Sequence, residues 1–198
     1  MTGMTLSKLE ELNSALVSEA NKILYDYGLL QILSKYGKPI MQGSYVLNLM
    51  AWRDLDIHLE NDEIDIKDFF KLGSEIATKL KPHRMSFRNE LVGKTNNLPK
   101  GLYWGIYVQL EFPAEWKIDV WAIDSDQTKI HCKELENLKR KISVENKPII
   151  LMIKNRYYNH PKYRKDFYST DIYKAVIEKN IKTIEEFSKW LKKNRGIE

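Results

Sequence analysis

Asp54 and Asp56 stand two residues apart in Asp54-Leu55-Asp56-Ile57-His58-Leu59, a run that alternates polar and apolar side chains. Residues at i and i+2 of a strand point to the same face, about 7 Å apart at Cα. Two carboxylates so placed converge on one or two divalent cations, the hard ions that oxygen ligands suit. Upstream, Gly43-Ser44 follows the short apolar run Pro39-Ile40-Met41 and opens a segment long enough for about two helical turns. A Gly-Ser pair at a strand-to-helix turn presents backbone N–H groups and a hydroxyl at a helix N-terminus, where a phosphate is held well. Ser44 also suits the N-cap of that helix, a role serine often fills. Phosphate donors and metal-binding carboxylates are thus side by side. His58 shares the polar face of the strand and reads as an ordinary hydrogen-bonding side chain outside the site.

Gly43-Ser44, nine intervening residues and Asp54-Leu55-Asp56-Ile57 resemble the signature of the polymerase-beta-like nucleotidyltransferase superfamily. The resemblance runs from Met41 to about Ile123 by motif and order, and the catalytic positions alone carry it. It implies a third carboxylate on a later strand with apolar neighbours. Asp119 in Ile118-Asp119-Val120 meets that pattern, whereas Glu111, Glu115 and Asp124 do not have the flanks and the face. What the resemblance implies for function is transfer of a nucleoside monophosphate from a nucleoside triphosphate to an acceptor, with pyrophosphate leaving. Asp54, Asp56 and Asp119 would be both catalytic and metal-binding, holding two Mg²⁺ ions about 4 Å apart, with Mn²⁺ as a substitute. Gly43 and Ser44 would hold the departing β and γ phosphates. The acceptor is not specified: a small molecule, a protein side chain or RNA fits equally.

Lys154 to Lys165 interleaves five basic residues with three tyrosines. Lysine and arginine hold phosphate oxygens and tyrosine stacks on a base, so Lys154 and Arg156 are candidate nucleotide contacts; the plainer reading is a solvated loop between helices. Two other function classes compete. An inert nucleotide-binding or regulatory module would share the fold. A metal-dependent nuclease would use Glu115-Trp116-Lys117 with an upstream aspartate, a short pattern that leaves the Gly-Ser turn and the second aspartate unexplained.

Chemistry of this kind needs a sheet to align the carboxylates, and the chain is large enough for one. Its 198 residues are 43% apolar and 11% aromatic, sufficient for a packed core. The lone Cys132 forms no intramolecular disulfide, no apolar run approaches the ~18 residues of a membrane span, and the start leads into a charged helical pattern. The expectation is a soluble cytoplasmic protein with no membrane partner. Net charge is +5, divided unevenly: residues 1–125 hold 14 Lys/Arg against 17 Asp/Glu, residues 126–198 hold 18 against 10. A basic tail either steers a polyanion toward the acidic site or simply keeps the surface soluble.

Leu9, Leu12, Leu16, Ile23, Leu24, Tyr27 and Leu30 space as a long amphipathic helix, capped by Ser7 and Glu10 and broken near Gly28. Strands are expected at Pro39–Met41, Asp54–Glu60, about 84–93, 102–112 and from about Lys117, with a helix from Ile66 to Leu80 that Pro82 ends. In the last strand Ile118, Val120 and Ala122 face inward and Lys117, Asp119 and Trp121 outward. Helices follow to about Glu145, from Pro148, from Thr170 and from Thr183, the last with Thr183 and Glu186 as a capping box. The sum is an α/β (α+β) fold: a small mixed sheet with helices on one face and the cleft on the other. Residues 1–125 would be the catalytic domain, and residues 126–198 a helical region packed on it.

Overall fold

The computed structural model describes residues 4–197. Its elements are α1 (Leu6–Asn21), a π-helical turn (Lys22–Asp26), α2 (Leu29–Leu33), β1 (Lys38–Met41), α3 (Gly43–Val46), β2 (Asp54–Glu60), α4 (Ile66–Leu80), β3 (Arg84–Asn89), α5 (Glu90–Gly93), β4 (Leu102–Val108), β5 (Trp116–Ile123), α6 (Ser125–Lys141), α7 (Asn146–Tyr157), α8 (Ser169–Lys179) and α9 (Ile184–Arg195). They form two compact units. The sheet unit holds Val17–Leu47 and Arg53–Glu136; the helical unit holds the chain up to Leu16, the segment Asn48–Trp52, and the chain from Asn137 on.

In the sheet unit five strands run in the order β1-β2-β5-β4-β3. β2 and β5 are parallel and every other neighbouring pair is antiparallel. A parallel pair needs a long crossover, and the chain from α4 through β4 supplies it. Period-two alternation puts Leu55, Ile57, Leu59, Leu102, Trp104, Ile106, Val108, Ile118, Val120 and Ala122 on one face, where all are buried. Phe69, Leu72 and Ile76 of α4 are buried too, and the Trp104 indole N–H donates to the Phe69 carbonyl at 3.0 Å. Each such aliphatic side chain contributes roughly 1.5–3 kcal/mol by leaving water. Asp65 caps α4 by accepting the Asp68 N–H at 2.8 Å, and the helix ends at Lys81, in left-handed backbone (φ 52) just before Pro82.

The mixed sheet and α/β character agree with the expectation from sequence, but several element ends differ. β4 stops at Val108 although its alternation continues to Phe112, because pairing with β5 ends at Val108–Trp116. Beyond it the Gln109 amide donates to the carbonyls of Leu110 (3.3 Å) and Phe112 (2.8 Å) and curls the chain into a turn. The expected strand over 84–93 ends at Asn89, whose side chain accepts the Leu91 N–H at 3.1 Å and opens the helical turn α5. Ser7 lies inside α1 and bonds Glu11 at 2.9 Å; it is the Thr5 hydroxyl that accepts a helix N–H, from Lys8 at 3.4 Å. The break at Gly28 (φ 76) and the capping box of Thr183 and Glu186 occur as expected.

The helical unit packs Leu9, Leu49, Met50, Ile150, Leu151, Ile153, Phe167, Ile172, Phe187 and Leu191 into its own buried core. Asn48–Trp52, the middle of the spacer between Gly43-Ser44 and Asp54, is held there by two side chains. Asn13 accepts the Met50 N–H at 2.8 Å and donates to Asn48 at 2.6 Å, while the Lys154 ammonium donates to the Leu49 carbonyl at 2.7 Å. Among the described residues no helix is long and apolar enough to cross a membrane.

Candidate active site

The register of β2 and β5 builds the site. Asp56 is the direct partner of Asp119, and Asp54 of Lys117, so all four side chains leave the same face of the sheet. The start of both strands is fixed by Glu19. Its carboxylate takes a two-pronged bond from Arg53, 2.7 Å on each prong, and the Trp116 indole N–H at 3.0 Å. The Lys117 N–H then donates to the Arg53 carbonyl at 3.1 Å. Bidentate Arg–carboxylate pairs are geometrically specific, and this one sets where Asp54 begins.

Gly43 reaches the same place from the turn after β1. The Gln42 N–H donates to the Asp56 carbonyl at 2.9 Å, and Gly43 has φ 62. A Cβ at Gly43 would overlap the Asp56 carboxylate oxygen Oδ2. Only glycine combines this backbone conformation with that close approach. Ser44 is the second residue of α3 and not its cap. The cap position belongs to Gln42, whose side chain makes no capping bond and instead donates to Cys132 Sγ at 3.8 Å.

Lys117 was not foreseen as part of this cluster. Its ammonium lies 3.5 Å from Asp54 Oδ1 and in close contact with Asp119 Oδ2. Tyr103, whose ring packs on Trp121, donates its hydroxyl to Asp119 Oδ1 at 2.8 Å. Gly105, the register partner of Asp119, leaves the space that the Tyr103 hydroxyl uses, since a Cβ there would strike it. The signal for Lys117 was present in the sequence: two residues before Asp119 in a strand means the same face. Tyr103 carried no such signal, because its reach to Asp119 depends on a glycine on its own strand.

Burial pushes the Asp119 carboxyl above its ordinary pKa, and Asp54 adds to the rise against the opposing pull of Lys117. For Lys117, burial disfavours the charged form, but Asp54 and Asp119 together outweigh it and hold the ammonium above the usual lysine value. Burial and the Asp119 charge likewise raise Tyr103. Farther along the face, His58 lies under α6 with its ring 5.0 Å from that of His131. Burial, then His131, pull its pKa down to about 4.

Three carboxylates are hard oxygen donors of the kind Mg²⁺ takes. Among the described residues no group of three or more metal-ligating side chains closes on one point. Yet Asp54 and Asp119 already converge on a positive charge, so the donor chemistry fits a cation.

The remaining candidates belong to the helical unit. Lys154 and Arg156 are on α7 in the helical unit. Lys154 is fully buried, donating to the Leu49 carbonyl and to the Tyr173 hydroxyl at 3.2 Å, with its ammonium 4.7 Å from the Trp52 ring centre. Arg156 is exposed. Of the interleaved tyrosines, Tyr157 and Tyr163 are buried, while the exposed Tyr158 stacks on Trp52 at 5.6 Å. His83 Nε2 lies 2.7 Å from Glu115 Oε2, whereas Lys117 pairs with Asp54 and Asp119.

No protein family matches the sequence, and no curated protein does. Solved structures do match in shape. The GLD-2/RNP-8 complex aligns with a TM-score of 0.49 and 14% identity, over 87% of this chain and 64% of that one. The Cid1 poly(U) polymerase, in a structure with Mg and 3′-dATP bound, aligns with a TM-score of 0.53 and 14% identity, over 87% of this chain and 55% of that one. The chain therefore spans less than two thirds of either. With its five-stranded mixed sheet, this chain shares its fold with that poly(U) polymerase.

Proposed function

We propose that the chain is a metal-dependent nucleotidyltransferase, moving a nucleoside monophosphate from a nucleoside triphosphate to an acceptor and releasing pyrophosphate. The observation that carries this reading is the register of Asp56 beside Asp119, with Asp54 on the same face and Gly43 packed against the Asp56 carboxylate. Fold alone does not give a function; the support for this one is the juxtaposition of carboxylates with a close-packed Gly-Ser turn. The neighbour solved with Mg and 3′-dATP supports a nucleotide as the ligand.

Asp54, Asp56 and Asp119 would hold Mg²⁺, or Mn²⁺ in its place, which when bound supplies positive charge to the triphosphate and acidity to the acceptor. Gly43 and Ser44 offer backbone N–H groups and a hydroxyl to the β and γ phosphates, where negative charge grows as the bond breaks. An acceptor oxygen bonds the α-phosphorus, the α–β phosphoanhydride bond opens toward pyrophosphate, and the acceptor's proton passes to water. Arg156, exposed on α7, remains a candidate phosphate contact; Lys154 is engaged in the core of its own unit. Residues 1–125 would carry the chemistry and residues 126–198 form its helical region, in a cytoplasmic protein supplied with triphosphates and Mg²⁺.

Incubating the protein with Mg²⁺, α-labelled triphosphates and cell extract, and searching for nucleotidyl adducts by mass spectrometry, tests the reading. Adducts with matching pyrophosphate release are expected from the wild type. Asp56→Asn should keep the fold and lose on the order of a thousandfold or more in rate, several kcal/mol of transition-state stabilisation. Unchanged turnover in that variant would end the proposal, and triphosphate binding without any product would leave an inert module.

A further inference from the structure

His58 and His131 meet where β2 runs under α6, in a part of the sheet unit that the carboxylate chemistry does not use. His58 is buried between its register neighbours, Ile40 on β1 and Trp121 on β5. Its ring centre lies 5.0 Å from that of His131, with the two planes at 49°. The Nδ1 atom of each ring is shielded from solvent, and no described residue bonds either one. Nearby polar groups are engaged elsewhere: the Thr128 hydroxyl donates to the Asp124 carbonyl at 2.9 Å, and Cys132 Sγ accepts the Gln42 amide at 3.8 Å. A buried polar atom without a partner costs stability, and folded proteins keep few of them. Two of them on touching rings call for one common occupant. The spacing suits a metal ion. Such an ion sits about 2.0–2.1 Å from an imidazole nitrogen, hence about 3.2 Å from each ring centre, and a tetrahedral angle between the two bonds then sets the centres about 5.2 Å apart.

We propose that His58 and His131 form a metal site of their own, taking a transition-metal ion such as Zn²⁺ through the two Nδ1 atoms. Imidazole nitrogen suits zinc, copper and nickel, whereas Mg²⁺ keeps to oxygen, so this pair and the carboxylates select different ions. Among the described residues no third His, Cys, Asp or Glu joins the pair. Water therefore completes the shell, and the ion is held less tightly than in a closed site of four protein ligands. It ties α6 to β2 two residues beyond Asp56, about 7 Å along the strand. The site stands whether or not the nucleotidyltransferase reading does.

Zinc uptake by the intact chain, read without reference to turnover, tests the site. Zn²⁺ is titrated against a chromophoric chelator under excess Mg²⁺, which competes at the carboxylates, and nitrogen NMR of the labelled histidine rings shows which nitrogens take the ion. Wild type should bind one Zn²⁺ per chain, with the Nδ1 resonances of His58 and His131 moving together. His131→Gln and His58→Leu should each weaken that binding by about tenfold or more. His83→Gln, which leaves both rings in place, should bind as wild type does. The less buried His131 carries the test if His58→Leu fails to fold. No uptake, uptake that the His131 variant does not weaken, or Nδ1 resonances that stay where they were would overturn the site and leave an ordered water as the only occupant.

Discussion

Acidification should expose the cost of burying His58. The ring is 9% exposed, its Nδ1 makes no hydrogen bond, and burial followed by the neighbouring His131 lowers its pKa from 6.5 to about 4. Native His58 thus stays neutral at a pH where the same side chain in the unfolded chain is protonated. Between pH 6.5 and about 4 the unfolded state binds the extra proton, so stability is intact above the unfolded value and is lost as pH falls through the window. At about 1.4 kcal/mol per pH unit, that gap amounts to about 3 kcal/mol. Against a typical total of roughly 5–15 kcal/mol this is a large fraction. Urea unfolding of wild type and His58→Leu, at intervals from pH 7 to 4, measures it. Glu75, Glu90 and Asp124, which hydrogen bonds hold below their ordinary values, also lose their contribution in acid. Both proteins carry them, so they cancel in the difference. Wild type should lose about 3 kcal/mol more than the variant across the range; parallel stability curves would refute the reasoning.

Gly43→Ala should cost about 1–2 kcal/mol for its left-handed backbone alone, and by pushing the Asp56 carboxylate aside it should weaken Mn²⁺ binding; urea unfolding and calorimetry matching wild type would deny the close approach. Ser44→Ala should weaken triphosphate binding by about 1–2 kcal/mol while shifting stability by less than about 0.5 kcal/mol, because Gln42 holds the cap position. A stability loss with unaltered affinity would reverse that assignment. Lys154→Met should destabilise by about 2–3 kcal/mol, since the buried Leu49 carbonyl loses a charged donor; denaturant midpoints equal to wild type would show that the bond contributes nothing net.

Much of the fold was legible because its causes are local. Alternation over Asp54–Glu60 and a 3.6-residue period over Ile66–Leu80, ended by Pro82, are properties of short runs, and β2 and α4 carry those bounds. Where an element ends because its partner ends, the sequence is silent, as at Val108, beyond which β5 offers nothing to pair with. The basic, tyrosine-rich run from Lys154 to Lys165 shows the same limit. Its composition reads as surface, yet Lys154 and Tyr157 on α7 and Tyr163 in the loop beyond it are buried.

By itself, then, the sequence determined which side chains share a face: Asp54 with Asp56, and Lys117 with Asp119, since strand geometry allows no other arrangement at a spacing of two. Only the tertiary structure decided that Asp56 lies opposite Asp119 and Asp54 opposite Lys117, because register between β2 and β5 is closed across more than fifty intervening residues. That register places a part-buried ammonium between two carboxylates, and through-space charge of this kind is written in no run of neighbouring residues.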